Sequence, residues 1–298
     1  MGEIIGEEKV SIQIPLSLCI VNGYPKPNRE ILAEAGVSQA HELYLNFLNR
    51  FAPRAKIEVL YAADVDVQLP SGASLTSYDG FIWTGSNLTI YHDNPAVTRQ
   101  IELCRAIYGA GVPQFGSCWG MQMAAVAAGG EVRKSPNGRE WCLAKDITLS
   151  EAGRNHPLYM GKQHKFDGFI MHMDEVSRVP EGGKILAANK HTQVQSLAVE
   201  YRDSEFWATQ YHPEYNLFEM ARLLIARRSA LVKEEFFTSE QAVKAYVSDL
   251  TALSENTEDV ILRKKLSMGS DILDPKQREL ELRNWFHSLV LPQRASKT

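Results

Sequence analysis

The sequence predicts an α/β fold: a mostly parallel, doubly wound sheet with helices on both faces, added antiparallel strands and a helical C-terminal extension. Over the first half, short apolar runs alternate with helix-length segments. After Gly130, β-rich runs follow one another through tight turns. From about Val232 the strand signal ends and charged helical segments remain. We therefore expect an α/β domain over residues 1–231 and a helical extension over residues 232–298.

The first half begins with a continuous apolar run at 16–23, which is typical of a strand buried on both faces. A helix is expected at 30–50, where apolar residues recur among polar ones. The alternation continues with strands at 56–64, 80–85 and 112–116 and a helix at 95–110.

The second half predicts strands that join the sheet in antiparallel fashion, at 141–150, 166–173, 183–189, 194–201 and 206–212. A helix is expected to begin near Tyr215 and to continue to about Arg228. Further helices are expected at 237–253, 259–266 and 275–291. The sequence leaves open whether this extension is a lid, an oligomerisation element or a docking surface, so a homo-oligomer stays open. One hypothesis makes it a lid that flanks the cleft.

The composition is that of a folded globular protein, with 44% hydrophobic and 23% charged residues. A net charge of −4 gives no basic surface for nucleic acid or an anionic membrane, and favours a small neutral or zwitterionic substrate. No apolar run is long enough to span a membrane, and the acidic first ten residues do not form a signal peptide. We expect a cytoplasmic protein without nucleic-acid or membrane partners.

The four cysteines show no CxxC pairing, so we expect neither a zinc site nor a disulfide framework, and no metal or cofactor. Cys19, Cys104 and Cys142 lie in apolar segments and are expected to be structural. Cys118 differs, because it lies in Gly-Ser-Cys-Trp-Gly between a predicted strand and a small-residue helix. This is the layout of a nucleophile elbow, with the reactive side chain at a sharp turn and at a helix N-terminus that favours the thiolate.

A thiolate nucleophile needs a base, and the base needs a group that orients it. His212 follows the apolar run at 206–211 and precedes Pro213 and Glu214. Side chains two residues apart in an extended chain point to the same side, so Glu214 can orient the His212 ring. A lone histidine is more often a surface or core residue, but this triplet at a strand end favours a functional one.

Two motifs together carry a resemblance to the class I (triad) glutamine amidotransferase family over residues 15–230. The stretch from Gly116 to Gln122 matches G-x-C-x-G-x-Q, and about ninety residues later His212 to Glu214 matches H-P-E. The segment 171–176 is similar to the family's H-x-D-x-V pattern. The resemblance implies that Cys118 is the nucleophile, His212 the general base and acid, and Glu214 the orienting carboxylate.

The resemblance also implies the rest of the site. Gly85 or Ser86 and Trp119 would supply the oxyanion-hole N–H groups, although many members have Gly-Gly-Pro where this chain has Gly-Ser-Asn. The bulky Trp119 side chain is also expected to shape the substrate pocket. The residues expected at the substrate are Gln122, His172 and Asp174, and the alternative for Asp174 is a turn-forming acid.

No Walker A pattern and no Ser-Gly-Gly-x-Asp-Ser loop accompanies these motifs. The sequence therefore predicts that this protein is a hydrolase that cleaves the side-chain amide of glutamine, or a related γ-glutamyl compound, through a cysteine thioester. The alternative is an ammonia-donating glutaminase subunit for a separate synthetase or transferase partner. A non-catalytic binding or regulatory module is a third reading.

Overall fold

The computed structural model describes residues 15–69 and 72–296, and its central feature is a nine-stranded sheet. The prediction for the first ten residues falls outside this part of the chain. The sheet order is β2-β1-β3-β4-β11-β10-β9-β6-β7, and β5 pairs with β8 in a separate two-stranded sheet. The strands are β1 (Ser17–Asn22), β2 (Lys56–Tyr61), β3 (Gly80–Trp83), β4 (Gln114–Ser117), β5 (Glu131–Lys134), β6 (Glu140–Leu149), β7 (Lys165–His172), β8 (Asp174–Arg178), β9 (Gly183–Ala188), β10 (Ser196–Tyr201) and β11 (Ser204–Thr209).

The helices cover both faces of the large sheet, as the sequence predicts. They are α1 (Lys26–Glu34), α2 (Ala40–Phe51), α3 (Pro95–Gly109), α4 (Trp119–Ala127), α5 (Glu151–Arg154), α6 (Leu217–Ala226), α7 (Arg228–Lys233), α8 (Glu240–Glu255), α9 (Val260–Leu266), α10 (Ser270–Leu273), α11 (Pro275–Arg278), α12 (Leu280–Trp285) and α13 (Leu291–Ser296), with a π-helical turn at Phe286–Val290. One core lies under α3 and α4, and a second lies under α2 and α12. None of the described helices is both long and apolar enough to cross a membrane.

The parallel half of the sheet reaches further than predicted. Strands β2, β1, β3 and β4 are parallel neighbours, and β11 joins them by pairing in parallel with β4. On its other side β11 pairs antiparallel with β10. A parallel pair needs a long crossover, and residues 118–203 provide it. Strand β4 therefore lies between two parallel neighbours, near the middle of the sheet.

One local prediction was wrong, and one small sheet was missed. The helix expected at 30–50 is divided into α1 and α2, and the chain between them passes through Gly36 with a φ of +73°. Glycine reaches this backbone conformation without steric cost, which ends the first helix. The small sheet of β5 and β8 was not predicted, because both strands are short and polar.

The C-terminal helices pack on the α/β core. Helix α8 lies against α6, and Trp285 is buried in the core beneath the sheet, with its ring 6.0 Å from that of Phe115. A methyl group on Gly80 would lie 2.9 Å from the Trp285 ring, so the strand and the indole are in close contact. The extension thus completes the second core. A boundary between residues 231 and 232 stays a prediction.

We predict that Trp285→Ala destabilises the whole chain by about 3–5 kcal/mol, because it removes a large side chain that is 1% exposed and leaves a cavity. Ile261→Ala, at a position 81% exposed in the same extension, should change the free energy of unfolding by no more than about 0.5 kcal/mol. Urea denaturation measures both. Equal stabilities for the two variants would mean that the extension does not form part of the core.

Candidate active site

Cys118 lies at the turn between β4 and α4 with φ +51° and ψ −98°. Residues other than glycine rarely adopt a positive φ, and such strain costs about 1–3 kcal/mol. Two glycines make the turn possible. A Cβ on Gly116 would lie 2.7 Å from the Cα of Gly120, and one on Gly120 would lie 2.9 Å from the Cβ of Trp83. The elbow predicted from the glycine pattern is present in the structure.

His212 and Glu214 follow β11, the parallel neighbour of β4. The His212 Nδ1 and a Glu214 carboxylate oxygen lie 2.7 Å apart, and both side chains are buried. The His212 backbone N–H donates to the Phe169 carbonyl at 2.7 Å, which fixes the loop against β7. The Tyr215 ring packs edge-on against the imidazole. The pair is therefore rigidly held at the end of the strand beside the elbow.

The pKa of His212 is raised. Burial by itself would lower it, but the negative charge of Glu214 and hydrogen bonds with Cys118 and Glu214 outweigh burial and bring it from 6.5 to about 10. The ring is therefore an imidazolium at neutral pH. It can donate a proton from one nitrogen while Glu214 holds the other.

Two residues that the sequence analysis missed extend this pair. The Ser117 hydroxyl donates to the same Glu214 oxygen at 2.7 Å, and the Tyr44 hydroxyl donates to Ser117 at 2.7 Å. Both Ser117 and Tyr44 are fully buried. Ser117 could have been found from the sequence, because it places a hydroxyl inside an otherwise apolar strand. No pattern in the sequence indicates Tyr44, because it lies 73 residues from Ser117.

Cys118 and His212 face a cavity of about 390 Å³. The cavity brings together most of the residues expected at the site, namely Gly85, Ser86, Gln122, His172 and Asp174. It is also lined by residues that the sequence did not indicate, among them Tyr24, Tyr91, Lys134, Arg139, Tyr215 and Arg227. No described residue after Arg227 lines it, so the C-terminal helices do not cover this cavity directly, although Glu234 of the extension pairs with the lining residue Arg139.

The loop after β3 lies against the His212 ring, since a Cβ on Gly85 would be 3.3 Å from the ring carbon Cε1. Ser86 fixes this loop, because its hydroxyl donates to the Gly23 carbonyl at 2.8 Å and accepts from the Leu88 N–H at 3.2 Å. Side-chain hydrogen bonds thus hold the loop in the absence of a Gly-Gly-Pro turn.

Trp119 offers its backbone N–H beside Cys118, whereas its indole ring is not among the groups that line the cavity. Its N–H is the first of α4, where a helix has no acceptor of its own. The indole is buried, donates to the Gln100 side-chain oxygen at 2.9 Å and packs against Gly23. The expectation that this side chain shapes the pocket was wrong, because the indole points into the core beneath the cavity wall.

Gln122 and Asp174 offer acceptors to the cavity. Gln122 is 4% exposed, and its side-chain oxygen has no hydrogen-bond partner. Asp174 accepts a hydrogen bond from the Tyr91 hydroxyl at 2.9 Å. A buried oxygen without a partner is costly, so a ligand donor at Gln122 would compensate for its desolvation.

His172 lies in the wall of the cavity, and its ring contacts two neighbouring residues. Its Nδ1 lies 2.9 Å from the Asp174 carbonyl and its Nε2 lies 3.0 Å from Glu140. With both nitrogens engaged by the protein, the His172 ring holds the Asp174 segment in place, and a contact between His172 and the substrate stays a prediction. Glu140, His172 and His191 bring potential metal ligands within 4.8 Å of one another, but Gln195 and Asn189 also donate to Glu140, so protein donors satisfy this carboxylate.

The other three cysteines are buried in the core. Burial, with a smaller contribution from the charge of Glu58, raises the pKa of Cys19 to about 12, and burial raises the pKa of Cys142 to about 12. Burial also raises the pKa of Cys104 well above its ordinary value. These thiols therefore remain protonated and inert at neutral pH.

Comparisons with known proteins agree on one family. The model of the class-I glutamine amidotransferases matches residues 56–229. The chain is 32% identical over 286 residues to the γ-glutamyl-L-1-hydroxyisopropylamide hydrolase of a Pseudomonas species, across 93% of this chain and 94% of that protein. It is 28% identical to γ-glutamyl peptidase 4 of Arabidopsis thaliana, across 60% and 70% of the two chains. A glutamine amidotransferase from Thermotoga maritima has a similar fold, with a TM-score of 0.62 at 16% identity over 90% of this chain and 97% of its own.

We predict that Glu214→Gln lowers the pKa of His212 from about 10, because burial is then opposed by fewer interactions. A raised pKa in the folded state stabilises the fold fully below pH 6.5, and this stability is lost as the pH rises through about 10. NMR titration of the His212 ring measures the pKa, and denaturation across this pH range measures the stability.

Ser117→Ala is the matched control for this titration. It removes one hydrogen bond to Glu214 but keeps the negative charge, so the pKa of His212 should move less than in Glu214→Gln. A pKa that stays the same in Glu214→Gln would contradict the assigned electrostatics.

Proposed function

The chain belongs to the class-I glutamine amidotransferase family, and from this premise we propose that it is a cysteine-dependent hydrolase of γ-glutamyl compounds. The substrate would be glutamine or another molecule with an amide on the γ-carbonyl of a glutamyl group. Residues 1–231 would form the catalytic domain and residues 232–298 a structural extension. The four free cysteines suit a reducing compartment, which supports a cytoplasmic location.

One observation carries the proposal. Cys118 is held in a strained backbone conformation at a cavity that is also lined by the buried His212 ring, whose Nδ1 lies 2.7 Å from the Glu214 carboxylate. Strain of this kind persists where the surrounding structure imposes it, and it is concentrated at active sites. Cys142 also has a positive φ, of +61°, but it is buried in the core and is not among the residues that line this cavity, so the cavity and the His212 ring distinguish Cys118.

The first half of the reaction would be acylation. The Cys118 thiolate attacks the γ-carbonyl carbon and forms a C–S bond, and the carbonyl electrons move to the oxygen. The N–H groups of Trp119 and of Gly85 or Ser86 would stabilise this oxyanion. The C–N bond then breaks while the His212 imidazolium gives its proton to the leaving nitrogen. The products of this half are a γ-glutamyl thioester and a free amine or ammonia.

The second half would be hydrolysis of the thioester. The neutral His212 takes a proton from water, and the hydroxide attacks the thioester carbonyl. The C–S bond breaks, glutamate leaves, and the imidazolium and thiolate are restored. Glu214 would keep its contact with the ring and stabilise the imidazolium.

The glutamyl group would be recognised by its α-amino group. The unpaired oxygen of Gln122 and the carboxylate of Asp174 are acceptors for an ammonium group in the same cavity. The relatives named above are a γ-glutamyl amide hydrolase and a γ-glutamyl peptidase, which supports hydrolysis of γ-glutamyl amides. The match with the first extends over nearly the whole of both chains, so the stand-alone enzyme is favoured over an ammonia-donating subunit of a synthetase or transferase.

We predict that the pure protein releases glutamate from γ-glutamyl amides and that Cys118→Ala lowers kcat by about 10⁴-fold or more. His212→Ala should be nearly as severe, and Glu214→Gln milder, because Glu214 only orients and stabilises the ring. A coupled glutamate assay measures the rates, and circular dichroism checks that each variant is folded.

Residual activity in a folded Cys118→Ala variant close to that of the unmodified protein would overturn the proposal. Substrate binding by the pure protein without any turnover, even with Cys118 intact, would instead favour the ammonia-donating subunit.

A further inference from the structure

Three Lys and Arg side chains line the active-site cavity, and two of them have no ion-pair or hydrogen-bond partner within residues 15–69 and 72–296. Arg139 is engaged, because its guanidinium donates to both oxygens of Glu234 at 2.6 and 2.9 Å. Lys134 and Arg227 make no ion pair and no side-chain hydrogen bond with any described residue. Of the described residues, Glu234 accepts hydrogen bonds from Arg139 alone, and the charges of Lys134 and Arg227 act on its carboxylate without a direct contact.

Arg227 is fixed in place by the backbone. It lies at the junction of α6 and α7, and its N–H donates to the Leu223 carbonyl at 3.0 Å. The side chain is partly buried and lines the cavity beside Tyr24 and Leu223. A guanidinium held in a partly desolvated wall without a directly bound anion is well placed to bind a carboxylate of a ligand.

Lys134 belongs to a different part of the wall. It lies on β5 directly opposite Asp174 on β8, so a cation and an anion are cross-strand neighbours there. Together with the unpaired oxygen of Gln122, this region offers both a cation and acceptors. That combination matches the α-carboxylate and α-ammonium of a glutamyl group.

Arg227 lies near the reacting groups. Arg227 and Tyr24 line the same cavity as Cys118 and His212. The amine that leaves would receive its proton from His212, which lines the same cavity as Arg227. A carboxylate attached to that amine would meet a cation at Arg227.

We propose that Arg227 forms a subsite for a carboxylate on the leaving group, so that the preferred substrates are γ-glutamyl amino acids and peptides. This inference rests on the proposed hydrolase function and specifies its substrate class. The reaction is unchanged: the C–N bond breaks, His212 protonates the nitrogen of the departing amino acid, and water hydrolyses the thioester. The carboxylate of the leaving amino acid remains at Arg227 throughout acylation.

Two substrates that differ in one group provide the test. In γ-glutamyl-L-1-hydroxyisopropylamide the leaving amine carries a hydroxymethyl group, and in γ-glutamyl-L-alanine a carboxylate replaces it. We expect the unmodified enzyme to hydrolyse γ-glutamyl-L-alanine with a kcat/KM higher by about tenfold or more, as a charged hydrogen bond would give. Arg227→Gln should reduce this preference by a similar factor, mainly through KM.

Two further variants serve as controls. Lys134→Gln should lower kcat/KM by the same factor for both substrates, because the glutamyl group is common to them. Arg228→Gln removes a charge at the next residue, whose side chain pairs with Glu240, and should leave the ratio of the two kcat/KM values unchanged.

An unmodified enzyme without a preference for the carboxylate substrate would overturn the subsite, whether or not the variant folds. If Arg227→Gln lowered kcat/KM by the same factor for both substrates, this result would also overturn the subsite and would assign Arg227 to the glutamyl group. In either case glutamate release shows that the hydrolase function holds. The absence of hydrolysis of both substrates by the unmodified enzyme would overturn the function and the subsite together.

Discussion

The backbone of Cys118 is the constraint on which the rest of the site depends. The positive φ of Cys118 requires that the strand before it and the helix after it leave room for the turn. Gly116, Gly120 and the nearby Trp83 meet so closely that no side chain fits at either glycine. Because β4 is an inner strand, its parallel neighbours end at the same edge of the sheet. Strand β3 thereby delivers the Gly85 loop, and β11 delivers His212.

The loop that carries His212 is held by the core on its other side. Tyr211, directly before it, donates to the buried Glu281 of α12 at 2.6 Å, and Glu281 also pairs with Lys162 at 3.0 Å. A buried carboxylate needs such partners, since removal of one leaves an uncompensated charge. The C-terminal extension therefore influences the position of His212 indirectly, by holding the neighbouring Tyr211 in place. This explains how helices that do not line the cavity are still joined to the site.

Much of this architecture could be predicted from sequence because it depends on local patterns. Apolar runs gave β1 and β3, the glycine frame gave the elbow, and the His-Pro-Glu triplet gave the orientation of the histidine. The break between α1 and α2 was missed, because a single glycine within a helical pattern does not reveal whether its φ is positive. The small sheet was missed because β5 and β8 lack an apolar period.

The remaining errors concern contacts between residues distant in sequence. Tyr44 is connected to Glu214 by hydrogen bonds through Ser117. Arg227 lines the cavity because it lies at the end of α6, and its position therefore depends on how α6 packs. The direction of the Trp119 ring was also set by distant partners, Gln100 and Gly23. Patterns along the chain identify the type of chemistry, whereas tertiary packing decides which further side chains reach it.

The most direct test of the central claim is to map where a glutamine analogue with an electrophilic ketone attaches to the chain, by mass spectrometry of peptides. Our account predicts one modified peptide, containing Cys118, whose labelling is slowed by a γ-glutamyl substrate. The buried thiols of Cys19, Cys104 and Cys142 should stay unmodified. Labelling at one of these three instead, or a Cys118 that stays unreactive while γ-glutamyl amides are hydrolysed, would contradict the account.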